Sequence, residues 1–508
     1  MNGEYSDAAV AADTAHTGRL GRVDLAGPMV AALGALGCAS FALSMPPVPD
    51  HGYQFYLAGK LLDGAKLYVD VAVADMHPPL FTWMAAGLEL LARALGTAGW
   101  TIYPVFVSLL VAAALYAVWK IGPRSTLILS AFVLALLPLS GPYFGQGDHL
   151  AITLALPYLA ATAASAGGTT LPGRARFGLA LVAALGLAMK PHFALVWVAA
   201  ELYHARQRGV RSLFRTESLT IGSVFVLYLL ATWIITPEFF PTLPWLLKLY
   251  PRYAPVPLSA LIIDWRALLL LGALIASRLD RTDPAWNRLT DVLALAAIAL
   301  YAAVLLQLKG WGYHWYPVNA LSFVLIGISV RRYAERVRLL VPAAALIGAF
   351  WMNAQVDRTA RLLVAPPGYL SDLLEVTEQH ARGGPIIALA HTIHAGFPLV
   401  NYARVDWASP YACLWMIPAI YEGAWNRGEP WNYRVSGEWQ KLEQEMFDRI
   451  WTTIETMKPT VMLVEVPLDN GFNTAGYFAT DRRFRALFER ARVIETVGHY
   501  AVVSLPPR

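Results

Sequence analysis

Charge is scarce in this chain. Only 15% of its 508 residues are Asp, Glu, Lys or Arg, against about 25% in an ordinary soluble domain. With 57% hydrophobic residues and a mean hydropathy of +0.46, that shortfall excludes a soluble globule and points to an α-helical polytopic membrane protein. Cysteine is nearly absent, with only Cys38 and Cys413. One lies in an apolar stretch and the other in a distant polar region, so no disulfide framework and no C-x-x-C zinc spacing is available. No glycine-rich phosphate loop opens a helix, no Asn-x-Ser/Thr sequon occurs, and no internal repeat is found. The net charge of +5 sits mostly in short loops between apolar spans and calls for no nucleic acid.

What the chain does have is a series of apolar runs. Membrane helices are expected near residues 26–45, 100–119, 125–140, 149–166, 177–189, 192–206, 217–236, 263–277, 289–308, 317–330 and 339–353, about eleven in all. Residues 1–25 are polar and rich in small side chains, and are expected to form a cytoplasmic tail. The run at 26–45 lacks a convincing cleavage site and reads as a retained signal anchor. Residues 26–353 then make a transmembrane catalytic domain. Within it, 46–99 is a first outer loop with interfacial helices, and 79–95 lies along the interface. The reason is charge. If 79–95 does not cross, the basic loops holding Lys120 and Arg124, Arg174 and Arg176, Arg206 to Arg215, Arg278 to Arg288, and Arg331 to Arg338 all fall inside. The remaining 354–508 loses hydropathy and gains charge. Helices are expected at 370–381, 439–457 and 484–490, and strands at 385–390, 460–466, 493–497 and 500–505. That pattern is a C-terminal α/β domain on the outer face.

The same topology gathers the unusual polar residues outside. Asp50 follows the first span, where an acid is expensive without a task, and it reads as a catalytic carboxylate at the lip of a membrane cavity. Three further clusters share that face: Gly145, Gln146, Gly147, Asp148 and His149; Lys190 and His192; and the stretch from Lys309 through Trp311, Tyr313 and His314 to Pro317. Four clusters on one face suggest a common site.

The order of residues after the first span resembles a known family. Asp50, Tyr53, Ala58, Leu62, Gly64, Leu67, Tyr68, Asp70 and then His77, Pro78, Pro79 and Leu80 are similar to the first outer loop of GT-C glycosyltransferases. The nearest pattern is glycosyltransferase family 39, including protein O-mannosyltransferases and lipid A aminoarabinose transferases. The resemblance is strongest over 50–80 and absent from the C-terminal region. It implies a GT-C fold and an inverting transfer of a sugar from a polyprenyl-phosphate donor to an acceptor hydroxyl. The acceptor would be a cell-envelope glycan, a lipid or a protein, and Asp50 would deprotonate or orient it. Where the family often has two adjacent acids, this chain has Asp50 and His51.

Inverting transfer needs a base near the acceptor and positive charge near the leaving phosphate. Asp50 suits the first role. Lys190, Lys309, His192, His314 and His149 are candidates for the second. Lys190 also reads as a snorkelling lysine, Trp311 and Tyr313 as members of an aromatic belt, and Asp148 as a helix N-cap. His51, Tyr53, Asp75, His77 and Gln146 complete the substrate-binding set. No cofactor is required on this reading. No metal site is assigned, although Asp50, His51, Asp148 and His149 leave a divalent ion open. The expected location is a bacterial inner membrane, with the site and the C-terminal domain on the periplasmic side and membrane lipid around the helices. A transporter or lipid flippase, or a non-catalytic glycan-binding subunit, are the competing classes. The absence of repeated halves weighs against the first.

Overall fold

The computed structural model describes residues 48–336, without Pro138 and Asp280, and residues 368–506. The tail at 1–25, the spans at 26–45 and 339–353, and Cys38 lie outside the described residues. Every other expected span meets a helix. Among the described residues four helices are long and apolar enough to cross a membrane: Gly99–Ile121, Gly147–Ala166, Thr216–Ile235 and Pro284–Gln307. Thr126–Leu136 and Trp265–Ala276 are apolar but shorter. By length and composition the described count is therefore below the eleven expected. The difference arises because several helices are brief, and because Gly312–Arg336 opens on polar and aromatic side chains and ends on arginines.

Local chemistry sets the helix ends. Asp283 caps the helix Pro284–Gln307 by accepting from the Ala285 amide at 2.9 Å, with Pro284 in the first turn. Asp264 caps Trp265–Ala276 by accepting from the Arg266 amide at 2.8 Å. Gly147–Ala166 is buried along nearly all of its length, so the other helices pack around it. Small side chains permit the close approach: a Cβ on Gly186 would lie 2.9 Å from the Leu154 Cβ. In contrast, Thr216–Ile235 exposes Val226, Leu227, Leu229, Leu230, Trp233, Ile234 and Ile235, the apolar face expected against lipid.

The C-terminal end of Gly147–Ala166 carries a buried polar network. Arg215 reaches Glu201 at 2.8 Å and Thr162 at 2.8 Å, and the Tyr158 hydroxyl donates to Glu201 at 2.6 Å. Arg176 grips Glu217 through two bonds of 2.8 and 2.7 Å. Thr162 stands fourteen residues beyond Asp148 on the same helix, about 21 Å along its axis. This network therefore belongs to the end opposite the outer polar clusters.

The C-terminal region forms a four-stranded sheet of order β1-β2-β4-β3. Its strands are β1 Ile386–Leu389, β2 Val461–Glu465, β3 Arg492–Val497 and β4 Tyr500–Ser504. β1 and β2 run parallel, and the other two pairs are antiparallel. The parallel pair needs a crossover, which includes the helix Glu438–Met457. This domain docks on the outer loop at the helix Pro49–Leu62. The Asn401 amide donates to the Gly52 carbonyl at 3.0 Å, the Trp407 amide donates to the Tyr56 hydroxyl at 3.0 Å, and Lys60 meets Asp406 at 2.5 Å. Tyr53 packs edge-on against Phe397 at 5.1 Å. Gly52 is required here because a Cβ would lie 2.7 Å from Asn401 Oδ1 and 3.2 Å from Pro398 Cα.

Two predictions come from this packing. Glu201→Ala leaves the Arg215 charge buried without its partner, and the detergent-solubilised protein should lose about 3–5 kcal/mol of stability; an unchanged unfolding midpoint would contradict the network. Gly52→Ala should cost about 1–3 kcal/mol by overpacking the contact with Pro398 and Asn401, read in the same unfolding experiment. A midpoint equal to that of the parent would show that the domain does not dock there.

Candidate active site

Five separate stretches of chain build one cleft, and three of them carry Asp50, Asp148 and Lys190. The first is the helix Pro49–Leu62, which Pro49 starts and which carries Asp50 in its first turn. Asp50, His51 and Gln54 share a face because residues three and four apart are neighbours on a helix. No hydrogen bond or ion pair among the described residues engages the Asp50 carboxylate. Burial pushes the His51 imidazole down to about 4, so it is neutral near pH 7. Gln54 is fixed by the Thr82 hydroxyl, which donates to its amide oxygen at 2.5 Å.

The second stretch is the turn into Gly147–Ala166. Gly145 has φ +80°, a left-handed conformation that glycine adopts without penalty. Its carbonyl accepts from the Tyr103 hydroxyl and its amide donates to His149 Nδ1 at 3.2 Å. His149 Nε2 bonds the Leu136 carbonyl at 2.9 Å. Both ring nitrogens are thus used up in holding the turn, and His149 does not reach the cleft. Asp148 is not a cap either: Gln146 occupies the N-cap position without a side-chain bond.

Lys190 is the third contributor. Its Nζ stands 2.5 Å from Asp148 Oδ2 and 4.9 Å from the centre of the Tyr313 ring. Asp148 Oδ1 is buried without a partner. The lysine is drawn inward to a carboxylate and an aromatic face, rather than snorkelling outward.

Behind the cleft, Asp75 orients His77. The Asp75 carboxylate accepts from the His77 amide at 2.9 Å and lies 2.7 Å from His77 Nδ1. The Tyr68 hydroxyl donates to the His77 carbonyl at 2.8 Å. Burial pulls the His77 imidazole down, but the Asp75 charge and hydrogen bond outweigh this and hold it above the usual histidine range. With Nδ1 committed to Asp75, Nε2 is left for a ligand.

Asp50, His51, Gln54, His77, Gln146, Asp148, Lys190 and Tyr313 all line this cleft, with Pro78, Phe81, Gly147 and Met189 completing its wall. Its cavity volume is about 60 Å3, smaller than most small-molecule sites and of a size for a single polar group. Gln54 and Phe81 were not singled out in the sequence, although Gln54 is one helical turn from Asp50 and was open to detection by spacing alone.

Several expected residues stand elsewhere. Lys309 is fully buried. Its Nζ donates to the Tyr250 carbonyl at 2.8 Å and to the Tyr253 carbonyl, and it lies 4.5 Å from the centre of the Tyr250 ring. Burial pushes this ammonium down to about 8. It staples a loop and does not line the cleft. Trp311 packs on Tyr253 at 5.8 Å and on His314 at 5.4 Å, and both serve that packing. His192 packs edge-on against Phe193 at 4.7 Å and is outside the cleft. Tyr53 packs on Phe397 at 5.1 Å and does not line the cleft. Among the described residues no three His, Cys, Asp or Glu side chains gather into a metal-binding group.

No family model matches the chain, and no curated protein does. Solved structures do. ArnT from Cupriavidus metallidurans bound to undecaprenyl phosphate matches with a TM-score of 0.55 and 14% identity, over 95% of this chain and 98% of that one. The apo state of the same ArnT matches with a TM-score of 0.56 and 13% identity, over 94% and 97%. The likeness extends through the membrane helices and the C-terminal sheet alike. This chain has the GT-C fold of ArnT, as the residues from Asp50 to Leu80 led one to expect.

Proposed function

We propose that this protein is an inverting glycosyltransferase, moving a sugar from a polyprenyl-phosphate donor to an acceptor hydroxyl on the periplasmic face of a bacterial inner membrane. One observation carries the reading. Asp50, a carboxylate unengaged among the described residues, shares a small cleft with a half-buried lysine, Lys190, and a carboxylate-oriented histidine, His77. The undecaprenyl phosphate bound to the ArnT structure supports a lipid of that class as partner.

The chemistry follows from these groups. The acceptor oxygen attacks the anomeric carbon as its proton passes to the Asp50 carboxylate. The bond from that carbon to the phosphate oxygen breaks, and its electron pair leaves with polyprenyl phosphate. Attack from the face opposite the leaving group inverts the configuration. Lys190, and His77 when protonated, supply positive charge for the phosphate. Asp148 holds the Lys190 ammonium in place through one oxygen, and an ammonium has further N–H groups to offer a phosphate. On this account the transfer proceeds without a divalent metal, because two protein cations meet the leaving phosphate. A glycan, a lipid and a protein hydroxyl all fit the step.

Transfer of labelled sugar from a panel of polyprenyl-phosphate donors tests the reading, using membranes that contain the protein and an envelope extract as acceptor. Asp50→Asn should lose about a thousandfold in turnover while staying folded, and the wild type should keep its rate in a chelator. Undiminished transfer by the variant would remove Asp50 from the mechanism.

A pH dependence follows from His77. Its pKa is raised, so its charge persists further up the pH scale than that of a free imidazole. Donor affinity should be strongest below that raised pKa and weaken as pH climbs through it. Asp75→Asn removes the larger raising influences and leaves burial opposed by the Asp50 charge alone, so the inflection in donor KM should move to lower pH. An inflection that stays in place would show that His77 does not meet the donor.

A further inference from the structure

A second buried pair lies in the C-terminal domain, and the transfer step does not use it. His391 Nδ1 is 2.7 Å from Glu465 Oε2, and the His391 amide donates to the same oxygen at 3.2 Å. Glu465 is the last residue of β2. His391 follows β1, whose Leu389 pairs with Val464. The pair therefore stands at the carboxyl ends of the two parallel strands. That edge is where open α/β sheets place their ligands.

The pair is linked to the loop that carries Asp75. The segment from Pro410 to Trp415 joins them: the Leu414 amide donates to the Ala390 carbonyl at 2.8 Å, and the Val73 amide donates to the Pro410 carbonyl at 2.9 Å. Trp415 Nε1 donates to the Ala74 carbonyl at 3.2 Å, next to Asp75. Tyr253 and Cys413 each lie within electrostatic reach of both Asp50 and Glu465. One edge of the C-terminal sheet and the first turn of the Asp50 helix thus look onto shared ground.

Its chemistry is that of a sugar site. Glu465 is only 4% exposed, and a carboxylate at a buried strand end accepts strong hydrogen bonds from hydroxyls. Bonding to Glu465 leaves His391 Nε2 as an acceptor for another hydroxyl. Trp425 lies edge-on to His391 at 4.8 Å, meets Phe472 at 5.3 Å and Trp431 at 5.8 Å, and is half-buried. Its exposed part offers an apolar surface for the C–H side of a sugar.

We propose that His391, Glu465 and Trp425 form a subsite for a sugar ring of the acceptor, an inference that rests on the glycosyl transfer proposed above. Two readouts on the full chain in detergent test it. Saturation-transfer NMR with a panel of methyl hexosides and their disaccharides reads sugar binding directly. Binding should be seen with the wild type and with Asp50→Asn, and should weaken by about tenfold or more in Glu465→Gln and in Trp425→Ala. In the transfer assay the same two variants should raise the acceptor KM by a like factor and leave the donor KM unchanged, with unfolding midpoints near that of the parent. Trp425 packs on Phe472 and Trp431, so Trp425→Phe, which keeps an aromatic ring there, stands beside Trp425→Ala as a control for folding. Sugar binding equal in wild type, Glu465→Gln and Trp425→Ala would overturn the subsite, whatever the transfer assay reads. Sugar binding that depends on these residues, in a protein that transfers from no donor, would keep the subsite and overturn the glycosyltransferase reading.

Discussion

The ion pair between Asp148 and Lys190 is the constraint on which the site depends. At 2.5 Å and with Asp148 almost fully buried, neither charge can be left alone, because an unpaired ion in this setting is strongly destabilising. The pair ties the first turn of the most buried helix to the turn at Lys190. It also holds a cation away from bulk water, where it retains its effect on a phosphate. Asp50, His77 and Tyr313 are arranged around that fixed point by different elements.

The two ends of the helix Gly147–Ala166 divide the labour. At its C-terminal end Glu201, Arg215, Tyr158 and Thr162 bond one another, leaving only Arg215 Nη1 of that network without a hydrogen-bond partner among the described residues, and the network locks helices together. At its N-terminal end polar atoms are left over. Among the described residues Asp148 Oδ1 and His51 Nε2 are buried without partners, and the Asp50 carboxylate is unengaged. Buried polar groups normally find partners, and these three stand together in one cleft. The C-terminal domain contributes by gripping the Asp50 helix at Gly52, Tyr56 and Lys60, which fixes the carboxylate from the side away from the membrane.

Much of this was legible in the sequence, for reasons specific to each element. Apolar runs marked the helices, and short branched stretches such as Val461–Glu465 marked strands that prove buried throughout. Asp50 declared itself because an acid beside a span, followed by His77, Pro78, Pro79 and Leu80, is costly without a purpose. Lys309 misled because its neighbourhood of tryptophan, tyrosine and histidine looks like a binding loop. Its true partners are carbonyls 59 and 56 residues away, and backbone acceptors leave no mark on a sequence. His149 misled likewise, since its partner is the carbonyl of Leu136. His391 and Glu465 are 74 residues apart and meet only because β1 and β2 lie side by side. Strand pairing across a crossover is not written in local pattern.

The most direct test of this account is a cryo-EM structure of the protein with undecaprenyl phosphate. The account predicts the phosphate within hydrogen-bond distance of Lys190 Nζ, in the cleft that Asp50 lines. A phosphate bound elsewhere, with the Asp148–Lys190 pair untouched and the cleft empty, would contradict it.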